Sequence, residues 1–158
     1  MINLFNKKTK PTNKKIRNAT ASSLGDIEFK SKLELYTYKK LLENNIEADY
    51  EKHTFILQDK FIFDGNSYES HKIKGEKEFT NLSPNIRSIT YTPDFVNKEK
   101  RFVIEVKGYS NDVFPMKWKM FKHSICGEGY DLYLPSTIKQ VDAAIELIKQ
   151  KYDKRITD

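Results

Sequence analysis

An acidic and a basic side chain stand two positions apart in the otherwise apolar segment 102–107, FVIEVK. Side chains alternate along a β-strand, so Val103, Glu105 and Lys107 are expected on one face, with Glu105 and Lys107 about 6 to 7 Å apart. The opposite face would be entirely apolar, which indicates a central, covered strand. A charged pair on such a strand is costly unless it binds a ligand, and a metal ion with a phosphate fits best.

Asp94 supplies a second carboxylate for this chemistry. It follows Pro93 and precedes Glu105 by eleven residues, so adjacent strands could bring both acids to one point. Mg²⁺ and Mn²⁺ suit oxygen ligands, and the backbone carbonyl of Val106 would add one more. Such a cation neutralises charge on a phosphate and lowers the pKa of a water, while Lys107 would orient or help deprotonate that water or stabilise charge on phosphorus. The pattern predicts phosphodiester hydrolysis.

Glu34 is a third acid whose role the spacing leaves open. It falls on the apolar side of a predicted first helix, where an unpaired carboxylate would be costly. One interpretation makes it a metal ligand. The other rotates the helix and pairs Glu34 with Lys30 or Lys32 at the surface.

Charge and composition describe a single domain with a basic N-terminal arm. The chain has 158 residues, 38% of them hydrophobic, and one cysteine, which excludes an internal disulfide framework. The net charge is +6, and six basic residues with no acid lie in the first 17 positions: Lys7, Lys8, Lys10, Lys14, Lys15 and Arg17. We interpret residues 1–24 as a flexible arm that is either a DNA tether, through Lys14, Lys15 and Arg17, or a solvated tail. No apolar run predicts a membrane span or a secretory signal, so a cytoplasmic location is expected.

The elements that must position these residues follow from hydrophobic periodicity. Helices are predicted over residues 26–44 and 113–125 and from Ser136 onward; strands are predicted over 49–57, 87–92, 101–107 and 130–134. Residues 58–88 read as an inserted hairpin or arm, with a turn at Asp64-Gly65-Asn66. The order α-β-β-β-α-β-α predicts an α/β fold in which a mixed central sheet is flanked by helices, within one domain that spans residues 25–158.

The predicted second helix carries three lysines beside an apolar stripe. The stripe contains Phe114, Trp118, Phe121 and Ile125, and the lysines are Lys117, Lys119 and Lys122. Because this helix follows the Glu105 strand, its lysines could hold DNA phosphates beside the metal. The alternative is a solvated face that covers the core.

Three segments together resemble the motifs of the PD-(D/E)XK nuclease superfamily: FKSKLE (29–34), YTPDF (91–95) and VIEVKG (103–108). More narrowly they resemble the Holliday-junction-resolving endonuclease I family of phages and related small phage nucleases. The resemblance implies a restriction-endonuclease-like fold and a catalytic set of Glu34, Asp94, Glu105 and Lys107. It implies a Mg²⁺- or Mn²⁺-dependent DNA endonuclease that leaves a 5′-phosphate and a 3′-hydroxyl and acts in recombination or DNA processing. A homodimer is favoured only if both strands of a symmetrical substrate are cut.

Two departures keep other functions open. The insertion at 58–88 and the stretch after Gly108 differ from the resolvase pattern, so a specificity for four-way junctions is not implied. A non-catalytic DNA-binding module on a nuclease scaffold and a sequence-specific, restriction-type nuclease are the alternatives.

Overall fold

The computed structural model describes residues 22–108 and 112–153, which form a mixed α/β domain with three helices and several small sheets. The first half of this part of the chain contains β1 (Ser22–Leu24), β2 (Ile27–Phe29), α1 (Lys32–Glu43), β3 (Asp49–Tyr50), β4 (Phe55–Gln58), β5 (Phe61–Ile62), β6 (Tyr68–Ile73) and β7 (Glu76–Asn81). The second half contains β8 (Asn85–Ile86), β9 (Ile89–Tyr91), β10 (Phe95–Asn97), β11 (Phe102–Ile104), α2 (Phe114–Ser124), β12 (Asp131–Tyr133) and α3 (Ile138–Asp153).

A four-stranded mixed sheet in the order β12-β11-β10-β3 positions the acidic residues. Strands β10 and β11 are antiparallel, with Phe95 opposite Ile104, whereas β11 and β12 are parallel. Extending the β10–β11 register by one residue brings Asp94 opposite Glu105. The hydrogen bonding between β11 and β12 also continues beyond the last residue of β11, because the Glu105 N–H donates to the Tyr133 carbonyl across 2.9 Å.

Each face of this sheet packs against helices. On one face Phe95, Phe102 and Ile104 join a core cluster that includes Leu41 from α1 and Ile145 from α3. On the other face, the side chains of Val96 and Val103 pack against an aromatic cluster from α2 and β9, which comprises Tyr91, Phe114, Trp118 and Phe121. Because side chains alternate along β10 and β11, these two short strands contribute to two separate hydrophobic cores, one on each face of the sheet.

The second and third predicted helices and the fourth strand agree with the structure to within one to three residues. The stripe at Phe114, Trp118 and Phe121 is buried as expected. The third helix begins at Ile138 rather than at Ser136. The Gln140 N–H donates to the Thr137 hydroxyl, while the Ser136 hydroxyl donates to the Gln140 side chain. Among the described residues, no helix combines the length and apolar character that a bilayer span needs.

The predicted first helix starts too early. Residues 22–29 form the β1–β2 hairpin instead, so the proposed arm at 1–24 also overlaps a strand. Gly25 takes the turn with a φ of 59°, and Ser31 is the extended N-cap from which α1 begins. Ile27 therefore belongs to a strand and not to the helical stripe.

The predicted α-β-β-β-α-β-α order is wrong, because short strands were merged or missed. The strand predicted at 49–57 is divided between β3 and β4, which belong to different sheets, and Glu51 between them has a φ of 45°. Strand β10 was not predicted at all. Within residues 58–88, β5 pairs with β8 and β6 pairs with β7. The chain bends at Asp64-Gly65 as predicted, and a second turn at Lys74-Gly75 closes the β6–β7 hairpin.

Candidate functional site

Asp94 and Glu105 form a buried acidic pair held by reciprocal contacts to the backbone. The Val106 N–H donates to Asp94 Oδ2 across 2.7 Å, and the Asp94 N–H donates to Glu105 Oε2 across 3.3 Å. Their relative exposures are only 8% and 3%. The end of β11 and the residue before β10 thus fix both carboxylates at one point of the sheet.

Lys107 completes this pair as the sequence predicted. Its Nζ lies 3.1 Å from Glu105 Oε1 and 4.4 Å from the centre of the Phe114 ring. The Lys107 N–H donates to the Pro135 carbonyl across 3.0 Å, which fixes the backbone as well. The ammonium therefore stands between a carboxylate and an aromatic face, both of which favour a positive charge.

The acidic pair carries more negative charge than its surroundings neutralise. Burial and the charge of Glu105 raise the pKa of Asp94 well above its ordinary value, and the charge of Glu34 adds to this. The Val106 N–H and Lys107 act in the opposite direction without cancelling the effect. A cation placed against Asp94 and Glu105 would relieve this repulsion.

Tyr91 forms a wall of the site. It is 8% exposed, and its hydroxyl makes no hydrogen bond with any described residue. Burial, followed by the nearby charge of Glu105, raises the pKa of Tyr91, so the phenol stays protonated. The Tyr91 hydroxyl therefore lies close enough to Glu105 to interact with its carboxylate.

Glu34 is buried but engaged in local hydrogen bonds. Ser31 Oγ donates to Glu34 Oε1 across 2.8 Å, and Oε2 accepts from the Lys30 N–H at 3.0 Å and from the Tyr50 hydroxyl at 2.6 Å. The Glu34 N–H in turn donates to Ser31 Oγ, so Ser31 is the N-cap of α1. The Glu34 side chain accepts from the Ser31 hydroxyl and the Lys30 N–H. The surface ion pair with Lys30 or Lys32 is not observed, because Glu34 points inward.

Asp94 and Glu105 are the two carboxylates that could contact a cation at this point. Within residues 22–108 and 112–153, no group of three His, Cys, Asp or Glu side chains is placed to hold a metal, so Glu34 does not join the other acids as a ready-made third ligand. Asp94 Oδ1 accepts no hydrogen bond in that part of the chain, whereas Oδ2 accepts from the Val106 N–H. Mg²⁺ commonly takes one or two carboxylates and completes its shell with water and phosphate oxygens.

Two charged residues near this site were not predicted to belong to it. The Lys30 ammonium forms an ion pair with Glu51, and the Glu51 N–H donates to the Asp94 carbonyl across 2.8 Å. Burial lowers the pKa of Lys30, but the hydrogen bond and charge of Glu51 outweigh it and raise that pKa overall. Lys30 and Glu51 come together only through folding, so spacing gave no signal for their pairing.

The predicted DNA-binding lysines of α2 have different surroundings. Lys117 Nζ donates to the Thr90 carbonyl across 3.2 Å, and Lys122 Nζ lies 5.8 Å from the Trp118 ring centre. Lys119 is exposed. The other three predicted residues, Lys14, Lys15 and Arg17, lie outside the described residues.

A family model described as "Protein of unknown function (DUF1064)" matches residues 13–140. Because this match covers most of the chain, the protein belongs to that family. The comparisons with curated proteins and with solved structures gave no match. The family description names no activity, so function has to be argued from the site.

Proposed function

We propose that this protein is a divalent-metal-dependent DNA endonuclease that hydrolyses phosphodiester bonds. The observation that carries the proposal is the pairing of buried Asp94 and Glu105 with the Lys107 ammonium 3.1 Å from Glu105. The resemblance to PD-(D/E)XK nucleases supports it, because Asp94, Glu105 and Lys107 occupy the positions of that motif. Helices on both faces of the four-stranded sheet are compatible with a restriction-endonuclease-like fold, which is part of the proposal.

Asp94, Glu105 and the Val106 carbonyl would hold Mg²⁺ or Mn²⁺, with Glu34 contributing after it exchanges a hydrogen-bond partner. When bound, the cation neutralises charge on the phosphate and lowers the pKa of a coordinated water. Lys107 orients the attacking water and stabilises negative charge that develops on the phosphate. The Phe114 ring restricts the Lys107 side chain, and Tyr91 limits water access on the aromatic side of the sheet.

The decisive experiment combines metal depletion with a conservative site variant. Purified protein should cut plasmid DNA in Mg²⁺ or Mn²⁺, stop in EDTA and resume when the metal is restored. Glu105→Gln should abolish cutting while DNA binding persists, because it removes charge without removing volume. Glu99→Gln, at an exposed position outside the site, is the matched control. Cutting by Glu105→Gln at the native rate would refute the mechanism.

Substrate shape is part of the proposal as well. We propose a phage-encoded enzyme that acts on DNA in the host cytoplasm during recombination or DNA processing, with branched DNA such as Holliday junctions as a candidate substrate. Linear, nicked, flapped and four-way substrates distinguish this from a restriction-type activity, which would depend on sequence and not on shape. Symmetrical cuts in both strands of a junction would favour a homodimer.

A non-catalytic DNA-binding module is the second candidate. It is favoured by the hydrogen bonds that satisfy Glu34 without a metal and by the lack of a three-acid cluster among the described residues. This candidate predicts DNA binding that is the same in EDTA and in Mg²⁺, with no cleavage of any substrate in the panel.

A further inference from the structure

The β6–β7 hairpin separates its side chains into two chemically different faces. Residues directly opposite in an antiparallel pair point to the same side. The register pairs Tyr68 with Asn81, Ser70 with Phe79 and Lys72 with Lys77 on one face, which we call the aromatic-basic face. The other face pairs Glu69 with Thr80, His71 with Glu78 and Ile73 with Glu76. The hairpin therefore has little net charge, but its lysines and its glutamates lie on opposite faces.

The basic groups of the aromatic-basic face are arranged at a cost to the hairpin. Lys72 and Lys77 stand directly opposite one another, and like charges in that relation are destabilising. Lys74 adds a third ammonium at the tip, where it has a φ of 50° that non-glycine residues seldom adopt. A polyanionic ligand on this face would convert the repulsion into attraction.

Two aromatic rings lie on the same face without cover. Tyr68 and Phe79 are 59% and 71% exposed, and their ring centres are 6.1 Å apart. Exposed rings beside lysines are the combination that proteins use to bind unpaired nucleic acid strands, with bases stacked on the rings and phosphates held by the ammonium groups.

We propose that the aromatic-basic face of the β6–β7 hairpin binds an unpaired strand of DNA. Bases stack on Tyr68 and Phe79, and Lys72, Lys74 and Lys77 contact the phosphates. This binding goes beyond the proposed cleavage reaction, because it needs neither a metal nor the Asp94–Glu105 pair. It would place unpaired DNA at a site separate from the residues that cut.

Other occupants fit these observations less well. A two-fold dimer built on this face would set Lys72 and Lys77 against the same lysines of the second copy. Duplex DNA could accept the ribbon in its major groove, but its stacked bases offer no face to Tyr68 and Phe79. The opposite face, with Glu69, Glu76 and Glu78, repels any nucleic acid.

The test measures fluorescence anisotropy of a labelled 20-nucleotide oligo-dT and of a matched duplex, with EDTA present throughout. Phe79→Ala should weaken binding of the single strand by at least about fivefold, the lower limit for losing one stacked base. Phe79→Tyr should retain binding, because the ring remains. The double substitution Lys72→Gln with Lys77→Gln should reduce the slope of log affinity against log salt by about 1.4.

The acidic face provides the matched control. Glu69→Gln with Glu78→Gln changes one residue on each of the same two strands and should not weaken binding more than twofold. Equal losses from both double variants, or full binding by Phe79→Ala, would overturn the proposal. So would a preference for the duplex, or a concentration-dependent dimer by light scattering that Phe79→Ala abolishes. Glu99→Gln, outside both sites, should bind the oligonucleotide like the native protein. Because oligonucleotide binding is measured in EDTA and cleavage is measured separately in Mg²⁺, a failed cleavage proposal and a failed hairpin proposal give different results.

Discussion

Asp94 donates its backbone N–H to the carboxylate of Glu105 across 3.3 Å, although both side chains are acidic and nearly fully buried. The contact follows from the antiparallel register of β10 and β11, which places the two residues opposite one another. The backbone thus supplies part of the positive field that the pair needs, and Lys107 supplies another part. A divalent cation would neutralise the negative charge of Asp94 and Glu105 that these groups leave uncompensated.

The first prediction concerns the stability of the metal-free protein. The pKa of Asp94 is raised in the folded state, so the folded protein binds this proton more strongly than the unfolded chain, whose Asp pKa is about 3.9. Stability is therefore lost as the pH rises from about 4 through the folded-state pKa. Asp94→Asn cannot ionise, so in EDTA at pH 7.5 it should melt several degrees above the native protein.

Two conditions check this prediction of Asp94→Asn. Below about pH 4 the difference in melting temperature should vanish, because Asp94 is then protonated in both states. Adding Mg²⁺ at pH 7.5 should raise the melting temperature of the native protein more than that of the variant. A variant that is less stable than the native protein at every pH would contradict the assigned pKa direction.

The second prediction concerns Lys107. Lys107→Met keeps an unbranched stem against Phe114 but removes the ammonium 3.1 Å from Glu105. Loss of one such charge-stabilising group typically lowers kcat by about 10² to 10³. We expect a decrease of that size in single-turnover DNA cleavage, with DNA affinity changed less than threefold. Lys100→Met removes a lysine away from the acidic pair and serves as the control.

The third prediction separates the lysines of α2. Lys119 is exposed, whereas the Lys117 ammonium already donates to the Thr90 carbonyl. If Lys119 contacts a phosphate in duplex DNA, Lys119→Gln should reduce the slope of log affinity against log salt by about 0.9. Lys117→Gln should change the slope less, because in the free protein its ammonium is bonded to β9. Equal slopes for native protein and Lys119→Gln would assign Lys119 to the solvated alternative.

Helices α2 and α3 could be predicted because each carries a long stripe of apolar residues. Phe114, Trp118, Phe121 and Ile125 are spaced at helical intervals over three turns, and all four are buried. An apolar stripe of that length at helical spacing indicates a helix and no other type of element. The first helix was extended too far because Ile27 happens to fall at a helical spacing from Ser31 and Glu34, although it lies in a hairpin.

Strand β10 illustrates what the sequence does not reveal. Phe95 and Val96 are both buried, one in each core, so the strand has no polar face and only three residues. Without alternation and with Pro93 just before it, the segment looks like a loop. The same strand positions Asp94. The sequence therefore predicts that Asp94 and Glu105 meet through the strands at 87–92 and 101–107, whereas the pairing that brings them together is that of β10 with β11.

The site residues also differ in how far their positions could be predicted from spacing along the chain. Asp94, Glu105 and Lys107 lie on or beside two neighbouring strands, and their spacing predicts that they lie close together but not their hydrogen bonds to the backbone. The ion pair of Lys30 with Glu51 depends on a hairpin, a helix cap and a residue with positive φ, none of which short-range spacing encodes. The Ser31-x-x-Glu34 pattern, in contrast, is a local signal for a helix that starts just after Ser31.

The fourth prediction separates the capping role of Glu34 from its proposed catalytic role. Ser31→Ala removes the N-cap of α1 and should lower the free energy of unfolding by about 0.5 to 2 kcal/mol. Tyr50→Phe removes the donor 2.6 Å from Glu34 and should cost about 1.5 to 3 kcal/mol, the range for a hydrogen bond to a charged group. Urea denaturation measures both changes.

Cleavage rates of the same variants then decide the role of Glu34. If Glu34 helps to hold the metal, Glu34→Gln should raise the Mg²⁺ concentration needed for half-maximal cleavage, whereas Ser31→Ala should leave it within about twofold once the folded fraction is equal. The amide side chain introduced by Glu34→Gln can keep one carbonyl acceptor for Tyr50, so the stability of this variant should fall less than that of Glu34→Ala. An unchanged metal requirement in Glu34→Gln, together with lower stability, would leave Glu34 as a helix cap, and the nuclease site would consist of Asp94, Glu105 and Lys107.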